Sequence, residues 1–411
     1  MKSLICRFAA LSLLLIGAHA KLTAARPSSI LPSEWNPKEA ADRVMSGLVR
    51  VTPPEVKGAH GAKLILIGDR AYVSTLANDV RDGEHNEWDF VYSALAVVDF
   101  KTGAVDRFVK FAQSGQSFSN ETLPRGACFA SGMLRIDEHT IRCFFSSEQP
   151  GRGQSQMYYR DFDLRSQAFA ASVHRAKLKT SSGVFDLQPR HLHADAATLG
   201  YLRPAKNNHL ELLDSFKTFE GRTYAVLNSF VGALNALIVF NPAGDTLEVV
   251  GHYNEPFELS LTESAANRLP DGSWMAICRQ EGGDKNYLFT TSRDGRVWTR
   301  AEARPWVTNG TNSKPTFDRF GGVYYLGWQE ATRVGDVKRS VFNVDVSVDG
   351  ATWERKYRFE SVKSFQYPAF TEHEGAVWLV VTQGDGSPSM KERIMFGKLE
   401  DSLKSPTKQG N

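Results

Sequence analysis

Short apolar or aromatic runs, each entered through a turn, dominate the chain. Gly68-Asp-Arg-Ala-Tyr-Val-Ser is the first, and Glu138-His-Thr-Ile-Arg-Cys-Phe-Phe and Gly221-Arg-Thr-Tyr-Ala-Val-Leu follow. Gly272-Ser-Trp-Met-Ala-Ile, Gly322-Val-Tyr-Tyr-Leu-Gly-Trp and Gly375-Ala-Val-Trp-Leu-Val-Val complete the set. Such runs predict β-strands entered from hairpin turns. From Gly221 onward they recur every ~50 residues, a spacing in the range of propeller blades, and the wider gaps before it predict insertions in the first half.

Helical periodicity is confined to one place. Asn36 can cap, Pro37 suits the first helical position and Glu39 completes a capping box. Ala41, Val44, Met45 and Leu48 then form one apolar stripe, ended before Pro53-Pro54.

A second repeat is in phase with the first. Ser292-Arg-Asp-Gly-Arg-Val-Trp298 and Ser347-Val-Asp-Gly-Ala-Thr-Trp353 share S-x-D-G-x-x-W. Asp and Gly suit a tight hairpin, and the Trp can return beneath it. Six turn-and-strand units predict an all-β, six-bladed β-propeller with one short N-terminal helix.

The first twenty residues have a different pattern. Lys2 and Arg7 precede an apolar run from Phe8 to Gly17, and Ala18-His19-Ala20 ends it with small residues. This predicts a secretory signal peptide cut after Ala20, hence a secreted or periplasmic protein. The run is too short to cross a bilayer, and no later run is long enough, so no membrane insertion is expected. The expected organisation is a signal peptide over 1–20, an extension with the helix over 21–55, the propeller over 56–400 and a polar tail over 401–411.

Composition narrows the partners. Forty-nine basic and 46 acidic side chains among 411 residues give a net charge of +3, which loss of Lys2 and Arg7 lowers by two to +1. That balance predicts no nucleic-acid surface, and anion recognition must be local. Without Cys6, the cysteines are Cys128, Cys143 and Cys278; either Cys128 pairs with Cys143 across neighbouring strands or all three are buried thiols. No zinc-type spacing occurs, and no metal or cofactor is implied. Asn120-Glu-Thr and Asn309-Gly-Thr match the glycosylation sequon.

The two heptads resemble the Asp-box, or BNR, repeat of the sialidase-like propellers in a form one residue shorter, which implies structural roles for Asp294 and Asp349. The resemblance is strongest over residues 255–400. The segment from Glu263 to Arg279 resembles the sialidase stretch that holds an active-site Glu and a carboxylate-binding Arg. Arg339-Ser-Val-Phe-Asn-Val-Asp-Val-Ser resembles the strand whose Arg joins the same cluster, and Ser364-Phe-Gln-Tyr367-Pro-Ala-Phe the segment of the tyrosine nucleophile. Departures are equally specific. Where the family has its first Arg, this chain has His60-Gly-Ala-Lys63. The general acid has three competitors, Asp79, Asp82 and Asp89. Val381-Thr-Gln-Gly-Asp385 replaces the late Glu.

These residue types fit glycoside chemistry. When the anomeric carbon bears a carboxylate, a neutral Tyr is a better nucleophile than an anion, and a Tyr nucleophile is the known exception in sialidases. The expected roles are Tyr367 as nucleophile, Glu263 as its activating base, and Asp82 or Asp89 as the acid. Arg279 and Arg339 would clamp a carboxylate. A second polar cluster, Gln188-Pro-Arg190-His191-Leu-His193-Ala-Asp195 with His209 after it, adds Arg190, His191 and His193 as candidate substrate contacts. In a strand His191 and His193 would share one face. The expected function is an exported, monomeric, exo-acting glycosidase for an acidic terminal sugar of a glycan. A lyase on uronate polymers, using His and Tyr, and a non-catalytic glycan-binding propeller are the alternatives.

Overall fold

The computed structural model describes residues 29–84, 89–148, 155–201, 210–230, 233–387 and 389–401. The expected signal peptide with Cys6, residues 85–88 of the acidic loop, His209 and the tail after Asp401 lie outside the described residues.

The fold is all-β in a propeller arrangement. Among the described residues six sheets start, at the edge that lines the ring, from the strands Gly58–Ile67, Cys128–Arg135, Leu210–Glu211, Leu261–Arg268, Thr316–Phe320 and Gln366–His373, and their pairings are antiparallel except that of Lys177–Thr180 with Thr246–His252 in the third. Gly58–Ile67 lies against both Cys128–Arg135 and Gln366–His373, Thr316–Phe320 lies between Leu261–Arg268 and Gln366–His373, and the third sheet joins them through Thr140–Ser147 and Arg222–Ser229, so the ring closes. Five sheets have four or more strands; the one starting at Leu261 has three, continued outward by the bridge between Ser292 and Trp298. Hydrogen bonding between distant parts of the chain also holds the closure: Val49–Arg50 pairs antiparallel with Arg393–Asp401.

The expected turns join the first strand of each sheet to the second. Gly221, Gly272, Gly322 and Gly375 have φ of +74° to +86°, a left-handed conformation that costs glycine nothing. Both S-x-D-G-x-x-W segments fold alike. Gly295 N donates to Ser292 Oγ at 2.9 Å and Gly350 N to Ser347 Oγ at 2.8 Å, while each Asp carboxylate accepts two further backbone N–H groups. Trp298 Nε1 donates back to Gly295 O, and its ring packs on Tyr253.

The expected helix spans Pro37–Ser46. Asn36 Oδ1 caps it, accepting from Lys38 N and Glu39 N, and Glu39 in turn accepts from the Asn36 amide. Ala40, Ala41 and Val44 bury against the sheet that begins at Thr316 and its neighbour. A second helix, Pro189–Ala197, was not expected. Pro189 takes its first position, and Leu192 and Ala196 insert into the core of the third sheet.

Cys128, Cys143 and Cys278 are all free and buried. Cys128 faces Ser147 and Cys143 faces Met133, so the two cysteines sit at different levels of the same hairpin. They act as small core hydrophobes.

Candidate active site

The site lies where the starting strands enter the ring, and β-bulges build it. Register slips between His60 and Lys63, between Leu261 and Ser264, and between Gln366 and Ala369. A bulge leaves residues unpaired and re-aims their side chains. Glu263 and Tyr367 fall inside two of these bulges and His60 borders the third. Tyr367 has φ +52° and is followed by Pro368, so the backbone there is strained.

Glu263, Arg279 and Tyr367 meet in a buried triangle. Tyr367 Oη lies 2.6 Å from both Glu263 carboxylate oxygens and donates to them. Arg279 Nη1 donates to Glu263 Oε2 at 2.6 Å and to Tyr367 Oη at 2.8 Å. Arg279 is on the second strand of the sheet, opposite the bulge: Leu261 faces Gln280 and Ser264 faces Cys278, leaving Glu263 across from it. Its Nε is 2.6 Å from Glu281 Oε1, and its guanidinium lies 4.9 Å from the Phe230 ring centroid.

Arg339, also at positive φ, completes one flank. It donates to Gln366 Oε1 at 3.0 Å and Asn312 O at 2.9 Å, and its guanidinium lies 6.0 Å from the Tyr367 ring centroid. Thus the four residues expected to converge do so.

Burial and charge set the protonation of the triangle. Burial works to raise the Glu263 pKa, but the Arg279 charge and the Tyr367 hydrogen bond outweigh it and hold the carboxyl below its ordinary value. Burial, with the Glu263 charge adding to it, pushes the Tyr367 phenol well above its ordinary value. The resting state is therefore a carboxylate holding a neutral phenol.

Two residues beside Tyr367, and a third that pairs with one of them, were not among the expected site residues. The His60 ring lies 4.1 Å from the Tyr367 ring, centroid to centroid, with its Nδ1 3.1 Å from Thr382 Oγ1. Lys391 Nζ lies 5.6 Å from the Tyr367 ring centroid and pairs with Glu84, which comes from the acidic loop. His60 had a local signal, a polar residue at the start of an apolar strand in the position that Glu263 and Tyr367 occupy in theirs. Lys391 and Glu84 had none, because only ring closure brings them together.

The remaining candidates are not part of the buried triangle. Asp82 and Asp89 are exposed, and Asp79 is held by Tyr92 and Lys110, the latter at 2.6 Å. The helix at Pro189–Ala197 overturns the strand geometry expected for the His pair, since positions two apart on a helix point to nearly opposite sides. His191 stacks on Phe185 beside the exposed Arg190. His193 is buried, with Nε2 3.2 Å from Ser229 Oγ, one residue before the Phe230 that backs Arg279.

No protein-family profile matches the chain, and no curated protein matches it in sequence. Solved structures do match in fold. A protein of unknown function from Dyadobacter fermentans superposes with a TM-score of 0.61 at 12% identity, covering 86% of this chain and 98% of that one. Trypanosoma rangeli sialidase in complex with the inhibitor DANA gives 0.58 at 8% identity, covering 85% of this chain and 57% of that one. NanB sialidase from Streptococcus pneumoniae gives 0.57 at 10% identity, covering 86% and 70%. The chain spans just over half of the trypanosomal protein. The shared property at these identities is a sialidase-like propeller fold.

Proposed function

We propose that this protein is a sialidase-like glycoside hydrolase, exported and exo-acting on an acidic terminal sugar of a glycan, sialic acid or a uronate type. The observation that carries the reading is the buried triangle, in which a neutral phenol donates to a carboxylate 2.6 Å away beneath a guanidinium. In this reading the three-stranded sheet counts as a sixth blade, and the S-x-D-G-x-x-W turns are Asp-boxes.

In the proposed reaction Tyr367 Oη attacks the anomeric carbon while its proton passes to Glu263. The bond to the leaving oxygen breaks, and an acid from the 79–89 loop, Asp82 or Asp89, protonates that oxygen. Water, deprotonated by the loop carboxylate that this leaves, then cleaves the glycosyl–tyrosine bond, and the proton held by Glu263 returns to the phenol oxygen. Arg279 and Arg339 hold the substrate carboxylate in a planar fork. A non-catalytic glycan-binding role is the second reading. It is favoured by the engagement of both guanidiniums with protein partners and by the Lys110 and Tyr92 bonds that hold Asp79 away.

A panel of sialosides, uronate-terminated glycans and uronate polymers tests the reading, with released sugar and ultraviolet absorbance followed together. Release of a terminal sugar without new absorbance is expected. New absorbance signals β-elimination and replaces hydrolysis by a lyase reaction; binding without either signal leaves the glycan-binding role.

A further inference from the structure

His60 is a buried histidine with an unanswered ring nitrogen. The residue is 3% exposed, and its Nε2 has no hydrogen-bond partner among the described residues. A buried polar atom left without a partner costs about 1–3 kcal/mol. A strand entering an apolar core could avoid that cost with almost any aliphatic residue. Instead the imidazole is fixed on two sides. Nδ1 lies 3.1 Å from Thr382 Oγ1, and the ring face packs on Tyr367 at 4.1 Å. The ring that carries the orphan nitrogen therefore packs on the ring of the phenol that the proposed reaction uses.

Four basic side chains act electrostatically on this imidazole. Lys391 and Arg339 flank the shared Tyr367 ring, and Lys63 and Lys314 are buried nearby. Burial first, and then these four charges, push the His60 pKa well below its ordinary value, so the ring is neutral. The anions in reach are already committed: Glu263 to Tyr367 and Arg279, and Glu84 to Lys391. A neutral imidazole in a positive potential is best placed with a lone pair, rather than an N–H, at its free end. In that tautomer Nδ1–H donates to Thr382 Oγ1 and Nε2 is a bare acceptor.

We propose that His60 is a ligand-binding residue of this site, whose Nε2 lone pair accepts a hydrogen bond from a ring hydroxyl of the bound acidic sugar, with Thr382 as the residue that positions it. The inference rests on the acidic-sugar reading above. It divides recognition between two chemistries: arginines for the carboxylate, and one neutral acceptor for a hydroxyl that a charged residue at this place would not select in the same way. It makes His60 a specificity determinant rather than part of the bond-breaking machinery.

Two measurements test it. In the ligand-free protein, 15N NMR of the His60 ring reports the tautomer directly; a protonated Nδ1 and bare Nε2 are expected, and the reverse tautomer overturns the proposal. Binding of free N-acetylneuraminic acid and of free glucuronic acid is then compared across variants by calorimetry. His60→Asn keeps a group near Nδ1 and loses the Nε2 end, whereas His60→Gln keeps a polar atom near Nε2. The Asn variant should bind whichever sugar the wild type binds about tenfold more weakly, with the Gln variant recovering part of the loss. Equal affinity of wild type and the Asn variant overturns the role of His60 while leaving the acidic-sugar reading intact. Absence of binding to either sugar by the wild type overturns that reading and the inference with it.

Discussion

Tyr367 and Glu263, 104 positions apart in the chain, share one proton: the phenol oxygen lies 2.6 Å from each carboxylate oxygen. Each residue occupies a bulge at the start of a channel-lining strand, and the two strands belong to different sheets. The ring therefore has to close before the pair exists.

Removing only the phenol oxygen should separate chemistry from architecture. Tyr367→Phe keeps the ring packing against His60, and should lower kcat by about a thousandfold or more with the melting temperature little changed. Steady-state kinetics on the substrate found in the glycan panel, alongside thermal melts, check this. Retained turnover removes Tyr367 from the reaction.

Arg279 has a structural duty that its sequence context did not disclose. It is the buried counter-charge of Glu263, with both side chains at most 6% exposed. Arg279→Ala should cost about 3–5 kcal/mol of stability as well as substrate affinity, because it strands a buried carboxylate. A urea titration measures the first effect. A variant as stable as the wild type would show that Glu263 finds another partner.

Lys63 gives a pH signature of the ring centre. Burial, and then the neighbouring Lys314, push its pKa down to about 7 from 10.5. Below pH 7 the ammonium is charged in both folded and unfolded chains, and the full cost of burying it is present. Between the folded and unfolded values only the unfolded chain keeps the proton, so stability gains relative to a chain lacking the group as pH rises. Lys63→Met should therefore stabilise most at about pH 6, with the gain shrinking by about pH 9. A gain independent of pH would contradict the placement.

The acidic loop is tied to the chain end through Gly83. Its φ is +83°, and a Cβ there would lie 2.1 Å from Ser389 Oγ. Gly83→Ala should destabilise by about 1–3 kcal/mol and loosen the Glu84–Lys391 pair. Faster amide exchange confined to residues 78–84 and 389–391 is the expected readout; unchanged exchange would show the contact to be slack.

Much of this architecture was legible because it is local. Hairpin glycines such as Gly272 and Gly375, and the paired S-x-D-G-x-x-W turns, write their geometry into adjacent residues. Glu263, Arg279, Arg339 and Tyr367 were read together from the order of residue types in the family resemblance, and the structure groups them around one phenol. The helix at Pro189–Ala197 was not. It is one short stretch whose cap residue, Gln188, makes no side-chain bond, and its alternating His residues read as a strand. Lys391 and Glu84 were hidden for a different reason. Their pairing comes from contact between the two ends of the ring, which no local pattern encodes.

The most direct test of the central claim is covalent trapping. The acidic sugar released in the panel would be supplied as a fluorinated analogue that slows breakdown of a glycosyl intermediate, and the protein mass recorded. A single adduct mapped to the peptide holding Tyr367, absent from Tyr367→Phe, is the predicted result. Turnover of the parent sugar with no adduct, or an adduct on another residue, would contradict a tyrosine nucleophile activated by Glu263.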